Sequence, residues 1–227
     1  SETAMEAVWL CLPFILLCAF AALHFAEESL FRPAHVIAAV SYSALLAALH
    51  RQPTEAGKAL PDERRRLKSL GEHLCRLNED DQHRADTVLR RWRKVPATRT
   101  LIHGDLFRDN ALFNAEGRLT GVLDFYNACL ERPEYDLAVA LNDWAVASDG
   151  RPVPRRQGAL LAGYRDGGGE WDESVLALAL AVAALRFWLS RLAGPVSGES
   201  EGQGSKDPAE FARIFGYRFN ALGDGDD

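Results

Sequence analysis

The residues whose types and spacing could carry out chemistry lie between positions 101 and 124. Asp105 follows a short apolar segment, Asn110 comes five residues later, and Asp124 ends a second apolar segment. Transfer of a γ-phosphoryl group needs an acceptor hydroxyl held in line and Mg²⁺ to neutralise the developing charge. A carboxylate can accept the hydroxyl proton, and carboxylate and carboxamide oxygens are hard ligands that suit Mg²⁺. We therefore predict that Asp105 is the catalytic base and that Asn110 and Asp124 bind Mg²⁺.

The neighbouring segments predict how these side chains are positioned. Residues 101–102 predict a strand that enters the turn, and residues 111–113 and 119–123 predict two short strands joined by a turn. His103 and Asp105 begin the H-x-D-x-x-x-x-N spacing of the kinase catalytic loop. We expect His103 to form a hydrogen bond beneath the loop rather than to act as a base. A surface hairpin whose polar residues only form turns is the alternative interpretation.

Periodic apolar residues predict that most of the remaining chain is helical. We therefore predict an α+β fold that is predominantly α-helical, with a small β-hairpin catalytic region. His50, at the end of the first predicted helix, is expected to be solvated. The predicted helices cover residues 34–50, 62–77, 84–94, 136–144, 156–164, 172–193 and 207–219.

The composition limits the classes of partner. The chain has 227 residues, of which 48% are hydrophobic and 26% charged, which is typical of a globular protein with a core. The net charge of −6 at pH 7 argues against a general nucleic-acid-binding protein. The four cysteines form no C-x-x-C pair, and we interpret them as reduced thiols of a cytoplasmic protein. We expect a small-molecule substrate, and the oligomeric state is left open.

The apolar segment 7–23 carries no charged side chain and is close to the lower length limit for spanning a bilayer. Acidic residues flank both of its ends. A signal peptide would begin with basic residues, and a membrane-spanning helix would have them on one side. We therefore favour a buried core segment, with a membrane segment and a signal peptide as the alternatives.

Five blocks of sequence carry a resemblance to a known family. LIHGDLFRDNALF, GVLDFYNAC, YDLAVALNDW, LRFWLSRL and DPAEF resemble, in this order, the aminoglycoside-phosphotransferase-like kinase superfamily, and within it the kinase-fold homoserine kinases. The resemblance covers about residues 98–217. It implies ATP and Mg²⁺ as cofactors and homoserine as the most favoured acceptor. It also implies the same roles for Asp105, Asn110 and Asp124, and a supporting role for Asp136 beneath the catalytic loop.

Several polar residues near the catalytic block are candidates for the acceptor site. Asn142 and Asp143 could contact the amino and carboxylate ends of the acceptor, although an exposed helix face is equally plausible. Arg108 could hold the transferred phosphate or pair with a loop carboxylate. Arg186 lies in the longest apolar helix, where a charge normally has a partner. It could bind the acceptor carboxylate or pair with Asp136 or Asp143. Asp136 itself is a plausible helix N-cap.

The amino-terminal part of the chain departs from this family. Residues 1–61, an apolar segment followed by a linker, contain neither a G-x-G-x-x-G loop nor a V-A-I-K segment, so the nucleotide lobe is expected to be missing or replaced. Residues 62–227 are expected to form a kinase-like C-terminal lobe, and this chain alone is expected to show low or absent turnover. The alternatives are a truncated, inactive binding module, or a kinase for choline, an aminoglycoside or another small alcohol.

Overall fold

The computed structural model describes residues 33–52, 63–98, 100–116, 118–194 and 207–223. The apolar segment 7–23 and the linker 53–61 lie outside this range. The predictions made for them therefore stay predictions. The predicted boundary between residues 1–61 and the lobe of residues 62–227 also stays a prediction.

Within the part of the chain that the structure describes, seven α-helices and two small β-sheets are present, which confirms the prediction of a mainly helical α+β fold. A 3₁₀ segment, Gly71–Arg76, follows the second helix. The helices are α1 (Pro33–His50), α2 (Glu63–Leu70), α3 (Glu79–Lys94), α4 (Pro133–Trp144), α5 (Pro154–Asp166), α6 (Glu173–Ala193) and α7 (Pro208–Asn220).

The sheets are both two-stranded and antiparallel. The predicted hairpin is confirmed as β2 (Ala111–Phe113) paired with β3 (Leu119–Val122). The other sheet pairs β1 (Thr100–Ile102) with β4 (Cys129–Glu131), a partner that the sequence pattern did not indicate. Because Ile102 lies opposite Cys129, the residues just after β1 are close to those just before β4.

Side-chain caps explain where three helices begin. Asn78 accepts a hydrogen bond from the backbone N–H of Asp81, so α3 begins at Glu79. The predicted start near residue 84 is therefore too late. Asp172 caps α6 and Asp207 caps α7 in the same way.

The core is built around α6, which packs against α4 and α7. By length and composition α6 could cross a membrane, but 67% of its apolar window is buried, as in the core helix of a soluble protein. Helix α1 packs against α5 and contributes Tyr42, Leu46 and Ala47 to the same core. The end of α1 thereby lies close to the turn of residues 103–105, which carries the predicted base Asp105 and is called the catalytic turn below.

Candidate active site

The turn after β1 is held in a conformation that suits glycine. Gly104 has φ +78°, and a Cβ at this position would lie 2.6 Å from the carbonyl oxygen of Asn127. Only glycine tolerates both the left-handed backbone and this close approach. The turn therefore packs directly against the segment that precedes β4, and it places Asp105 beside that segment.

Asp105 is held by two neighbours and remains partly open to solvent. The carboxamide Nδ2 of Asn127 donates to Asp105 Oδ2 at 2.9 Å. The Arg186 guanidinium lies 3.8 Å from Asp105 Oδ1, and the Asp105 side chain keeps 19% of its exposure. The carboxylate is thus oriented by a neutral donor, lies close to a cation, and is accessible to a ligand.

Asn110 links the catalytic turn to the segment that carries Asp124. Its Nδ2 donates to the backbone oxygen of Asp105 at 2.7 Å, and its own backbone oxygen accepts from the N–H of Leu123 at 2.9 Å. The amide nitrogen is therefore engaged, which leaves the amide oxygen as the atom that could bind a metal. Since Asp124 follows Leu123, the structure brings Asp105, Asn110 and Asp124 into one loop cluster.

Asp124 adopts an unusual backbone conformation for a residue with a side chain. Its φ of 60° and ψ of 64° lie in the left-handed region, which costs about 1–2 kcal/mol for most residues. The side chain is exposed and does not cap the 3₁₀ turn that follows. Backbone strain of this kind is found preferentially at functional sites. Here it directs the chain so that an exposed carboxylate follows β3.

The donor set suits Mg²⁺ better than a transition metal. Mg²⁺ is usually bound by one or two carboxylates together with water and substrate phosphates. Asp124 and Asn110 supply one carboxylate and one amide oxygen. Among the described residues, no three His, Cys, Asp or Glu side chains form a group that could hold a metal.

His103 is buried beneath the turn. Its Nε2 lies 2.9 Å from the backbone oxygen of Leu123. Since a carbonyl can only accept, Nε2 must carry the proton. The half-exposed ring of Phe125 packs on the imidazole, with ring centroids 4.6 Å apart. His103 is thus placed to fix the position of the segment that carries Asp124.

Asp136 accepts hydrogen bonds from the backbone of the turn. Its Oδ2 accepts from the N–H of His103 and its Oδ1 from the N–H of Gly104, both at 2.9 Å. Burial acts to raise the pKa of Asp136, but hydrogen bonds and the charge of His50 prevail and the pKa is lowered. The N-cap prediction is wrong, because α4 begins at Pro133 and Asp136 lies within its first turn.

Arg108 and Asp143 form a bidentate ion pair. Arg108 Nε and Nη2 each lie 3.1 Å from an Asp143 oxygen, and the Arg108 backbone N–H donates to the same carboxylate at 2.7 Å. Burial acts to lower the pKa of Arg108, but the Asp143 charge raises it overall. The partner of Arg108 is thus a helix carboxylate rather than a loop carboxylate. Asp143 anchors the loop to α4, and its predicted contact with the acceptor is not supported.

Asn142 lies in the core rather than in the site. It is 1% exposed, its Oδ1 accepts from Arg218 Nε at 2.9 Å, and its Nδ2 donates to the backbone oxygen of Leu180 at 2.8 Å. The prediction that Asn142 contacts the acceptor is wrong, because both polar groups of its side chain are buried and engaged. Burial lowers the pKa of Arg218 to about 10.

Arg186 points its charge towards the catalytic turn. It is buried, its guanidinium lies over the Phe187 ring at 4.0 Å from the centroid, and its ion pair is with Asp105. The predicted alternatives, Asp136 and Asp143, are wrong as partners because both carboxylates bind other groups. The cation is therefore close to the carboxylate that would receive the acceptor proton.

Sequence reasoning missed three residues that support this site: Asn127, His50 and Tyr42. His50 is buried, not solvated as predicted, and its Nε2 lies 3.2 Å from Asp136 Oδ2. The Tyr42 hydroxyl donates to the backbone oxygen of Leu106 in the loop. The only signal was the presence of polar side chains in or beside apolar segments, since a buried polar group needs a partner.

An apolar surface lies beside the loop cluster. Leu112, Leu123 and Phe125 are each about half exposed, at 46%, 46% and 50%. A cavity of about 240 Å³ adjoins Phe125 and is lined mainly by side chains from α1, together with His103, Leu106 and Val122. Exposed apolar groups next to polar ones are typical of a ligand-binding surface.

Solved structures of other proteins share this fold. The chain is similar to an aminoglycoside-3'-phosphotransferase of type VIII, with a TM-score of 0.55 and 23% identity over 67% of this chain and 61% of that one. It is also similar to the choline kinase LicA from Streptococcus pneumoniae, with a TM-score of 0.56 and 14% identity over 82% of this chain and 63% of that one. The fold is that of the kinase-like phosphotransferases.

Sequence comparison then identifies the family. The model of the phosphotransferase enzyme family matches residues 17–172, more than half of the chain, so the chain belongs to that family. The chain is also 43% identical over 129 residues to a homoserine kinase from Pseudomonas aeruginosa (strain LESB58). That match covers 54% of this chain and 39% of the enzyme, so the chain spans about two fifths of the relative's length.

Proposed function

We propose that this chain carries the catalytic and acceptor-binding part of an ATP- and Mg²⁺-dependent phosphotransferase that acts on homoserine. The observation that carries the proposal is the loop cluster of Asp105, Asn110 and Asp124, joined by the two hydrogen bonds of Asn110. The product would be O-phosphohomoserine, an intermediate of threonine biosynthesis.

Asp105 is assigned as the general base. Its carboxylate is oriented by Asn127 and partly exposed, so an acceptor hydroxyl can approach it and lose its proton to it. Asn110 and Asp124 would hold Mg²⁺, which when bound neutralises charge on the transferred phosphoryl group. The exposed side chains of Leu112 and Leu123 offer an apolar surface for the nucleotide base.

Arg186 favours an acceptor that carries a carboxylate. A guanidinium offers planar, paired N–H donors that match a carboxylate. Arg186 lies close enough to Asp105 for one small molecule to contact both. The same buried cation would repel choline and the amino groups of an aminoglycoside. Together with the named relatives, this charge supports homoserine over the other two acceptor classes.

The proposal is tested by Mg²⁺-dependent ADP release with homoserine, choline and an aminoglycoside as separate acceptors. Any homoserine-dependent release by this chain should fall by about 10²–10⁴-fold in Asp105→Asn, since general-base catalysis contributes about this much. Asp109→Asn, an exposed carboxylate in the same loop, is the matched control and should retain the wild-type rate. Release with choline alone, or an unchanged rate in Asp105→Asn, would contradict the assignment.

Binding of Mg²⁺-ATP gives a second measurement that does not depend on turnover. By calorimetry, Asp124→Asn should weaken Mg²⁺-dependent ATP binding by at least about tenfold, because even outer-shell changes at metal sites cost this much. Asp109→Asn should leave that affinity unchanged. If the wild type does not bind Mg²⁺-ATP, the nucleotide part of the proposal is wrong.

A further inference from the structure

A buried hydrogen-bonded chain connects three helices to the catalytic turn. His50 at the end of α1 contacts Tyr164 of α5 through Nδ1, at 2.7 Å from the hydroxyl, and Asp136 of α4 through Nε2, at 3.2 Å. The His50 and Asp136 side chains are 4% and 0% exposed, and Tyr164 is 1% exposed. Polar groups buried to this degree interact without competition from water.

The direction of the hydrogen bond between His50 and Asp136 follows from the chemistry of the two groups. Asp136 has a lowered pKa and is a carboxylate, which can only accept, so Nε2 of His50 must donate. Burial raises the pKa of Tyr164, so its hydroxyl keeps its proton, and it can donate to Nδ1 of His50 or accept from it. The chain therefore links Tyr164 to His50 and leads from the His50 Nε2–H to Asp136.

This chain ends on the carboxylate that holds the turn. Asp136 Oδ2, which receives the His50 N–H, also accepts from the backbone of His103, while Oδ1 accepts from Gly104. Rotation of the carboxylate would misalign both backbone hydrogen bonds. Gly104 directly precedes Asp105, so a shift in its left-handed backbone would change the direction of the base. The His50 hydrogen bond opposes that rotation.

We propose that His50 and Tyr164 are positioning residues, which fix the carboxylate of Asp136 and through it the orientation of Asp105. Neither side chain touches the proposed acceptor or metal groups. The kinetic part of this inference rests on the proposed phosphotransferase function, whereas the structural part does not. Hydrogen exchange therefore tests the structural part, and enzyme kinetics tests the kinetic part.

The first measurement is amide hydrogen exchange of the turn. His50→Leu removes the donor to Asp136, and His50→Gln keeps an N–H₂ group that can donate to it. We expect the amides of His103 and Gly104 to exchange about tenfold faster in His50→Leu, the effect of losing about one buried hydrogen bond. Exchange should stay near the wild-type rate in His50→Gln. His83→Leu, an exposed histidine of α3, is the matched control and should change nothing at the turn.

The second measurement is steady-state kinetics with the acceptor that is active in wild type. His50→Leu should lower kcat by about 10–100-fold, as changes in supporting residues do at other sites. The KM for ATP and for the acceptor should stay within about twofold, because no binding group is removed. Tyr164→Phe, which leaves His50 in place, should have a smaller effect in the same direction, and His50→Gln should recover most of kcat.

The outcomes distinguish the two proposals. Unchanged exchange at the turn in His50→Leu would overturn the positioning role, and so would faster exchange spread evenly over the chain. If turn exchange rises as expected but the wild type neither binds Mg²⁺-ATP nor transfers phosphate to any acceptor, the proposed function is wrong and the positioning of the turn stands. A loss of kcat in His50→Leu that His50→Gln does not recover would contradict the hydrogen bond as its cause.

Discussion

Asp136 and Asn142 are two buried polar side chains on the same helix, and they serve different parts of the molecule. Asp136 accepts from two backbone N–H groups of the catalytic turn and lies within reach of His50. Asn142 connects α4 to Arg218 of α7 and to a backbone oxygen of α6. Asp136 therefore supports the candidate site, whereas Asn142 cross-links the core.

The two environments also differ in charge. Asp136 is an anion surrounded by donors, so its pKa is lowered in spite of complete burial. Arg218 is a buried cation whose contact with Asn142 is neutral, and burial lowers its pKa to about 10. Neutral amides satisfy the hydrogen bonds of a guanidinium but provide no opposite charge. A polar residue in a helix is thus not by itself an indication of a binding site.

The largest effect is expected at Asp136. Asp136→Asn removes the charge and replaces one of the two accepting oxygens by an N–H₂ group, so at least one of the two backbone N–H groups loses its acceptor. We expect the free energy of unfolding to fall by about 3 kcal/mol, since each unpaired buried donor costs about 1–3 kcal/mol. Phosphotransfer should fall with it, even where the variant is fully folded. Urea unfolding measures the loss of stability, and ADP release measures the loss of phosphotransfer. An Asp136→Asn variant that is active and as stable as wild type would contradict the supporting role of Asp136.

The same substitution has a predicted pH signature. The lowered pKa of Asp136 means that the carboxylate contributes stability above the unfolded pKa of about 3.9. That contribution is lost as the pH falls through the lower pKa of the folded state. Wild type should therefore lose more stability than Asp136→Asn between about pH 4 and pH 2. Parallel stability curves over this range would exclude Asp136 as a source of acid sensitivity.

A smaller effect, confined to stability, is expected at Asn142. Asn142→Leu removes a hydrogen-bond acceptor from Arg218, and we expect a loss of about 1–3 kcal/mol in unfolding free energy. The rate of phosphotransfer per folded molecule should not change. The comparison of Asp136 with Asn142 would fail if Asn142→Leu reduced kcat or raised the acceptor KM while the protein remained folded.

The smallest effect is expected for the exposed ion pair between Arg108 and Asp143. The Arg108 side chain is 56% exposed, so solvent screens the pair. A double-mutant cycle with Arg108→Met and Asp143→Asn should give a coupling energy of about 0.2–1 kcal/mol. This coupling energy should decrease at high salt. A coupling above about 2 kcal/mol would indicate a more deeply buried pair than this exposure implies.

The local parts of the site were predictable from the sequence. The spacing of Asp105 and Asn110, the hairpin and the apolar run that ends at Asp124 are all formed by residues close together in the chain. Helix caps such as Asp172 and Asp207 likewise act on the next few residues. Short-range geometry follows from residue type, because few backbone conformations are available over such distances.

The partners of the buried polar groups were not predictable. His50 and Asp136 are 86 residues apart in sequence, and Asn142 and Arg218 are 76 apart. Arg186 could have paired with any of several carboxylates, and only the packing of α6 selects Asp105. The residue type predicts that a buried polar group has a hydrogen-bond partner, but it does not predict which residue that partner is.

The sequence by itself determined the catalytic turn, the hairpin and the helical character of the chain, because these depend on neighbouring residues and on apolar periodicity. Only the tertiary structure decided that Asp136 supports the candidate site while Asn142 cross-links the core, and that His50 is a buried hydrogen-bond donor rather than a solvated helix end. The physical reason is that a buried polar side chain binds whatever the distant helices bring within about 3 Å. That choice is made by packing, not by local sequence.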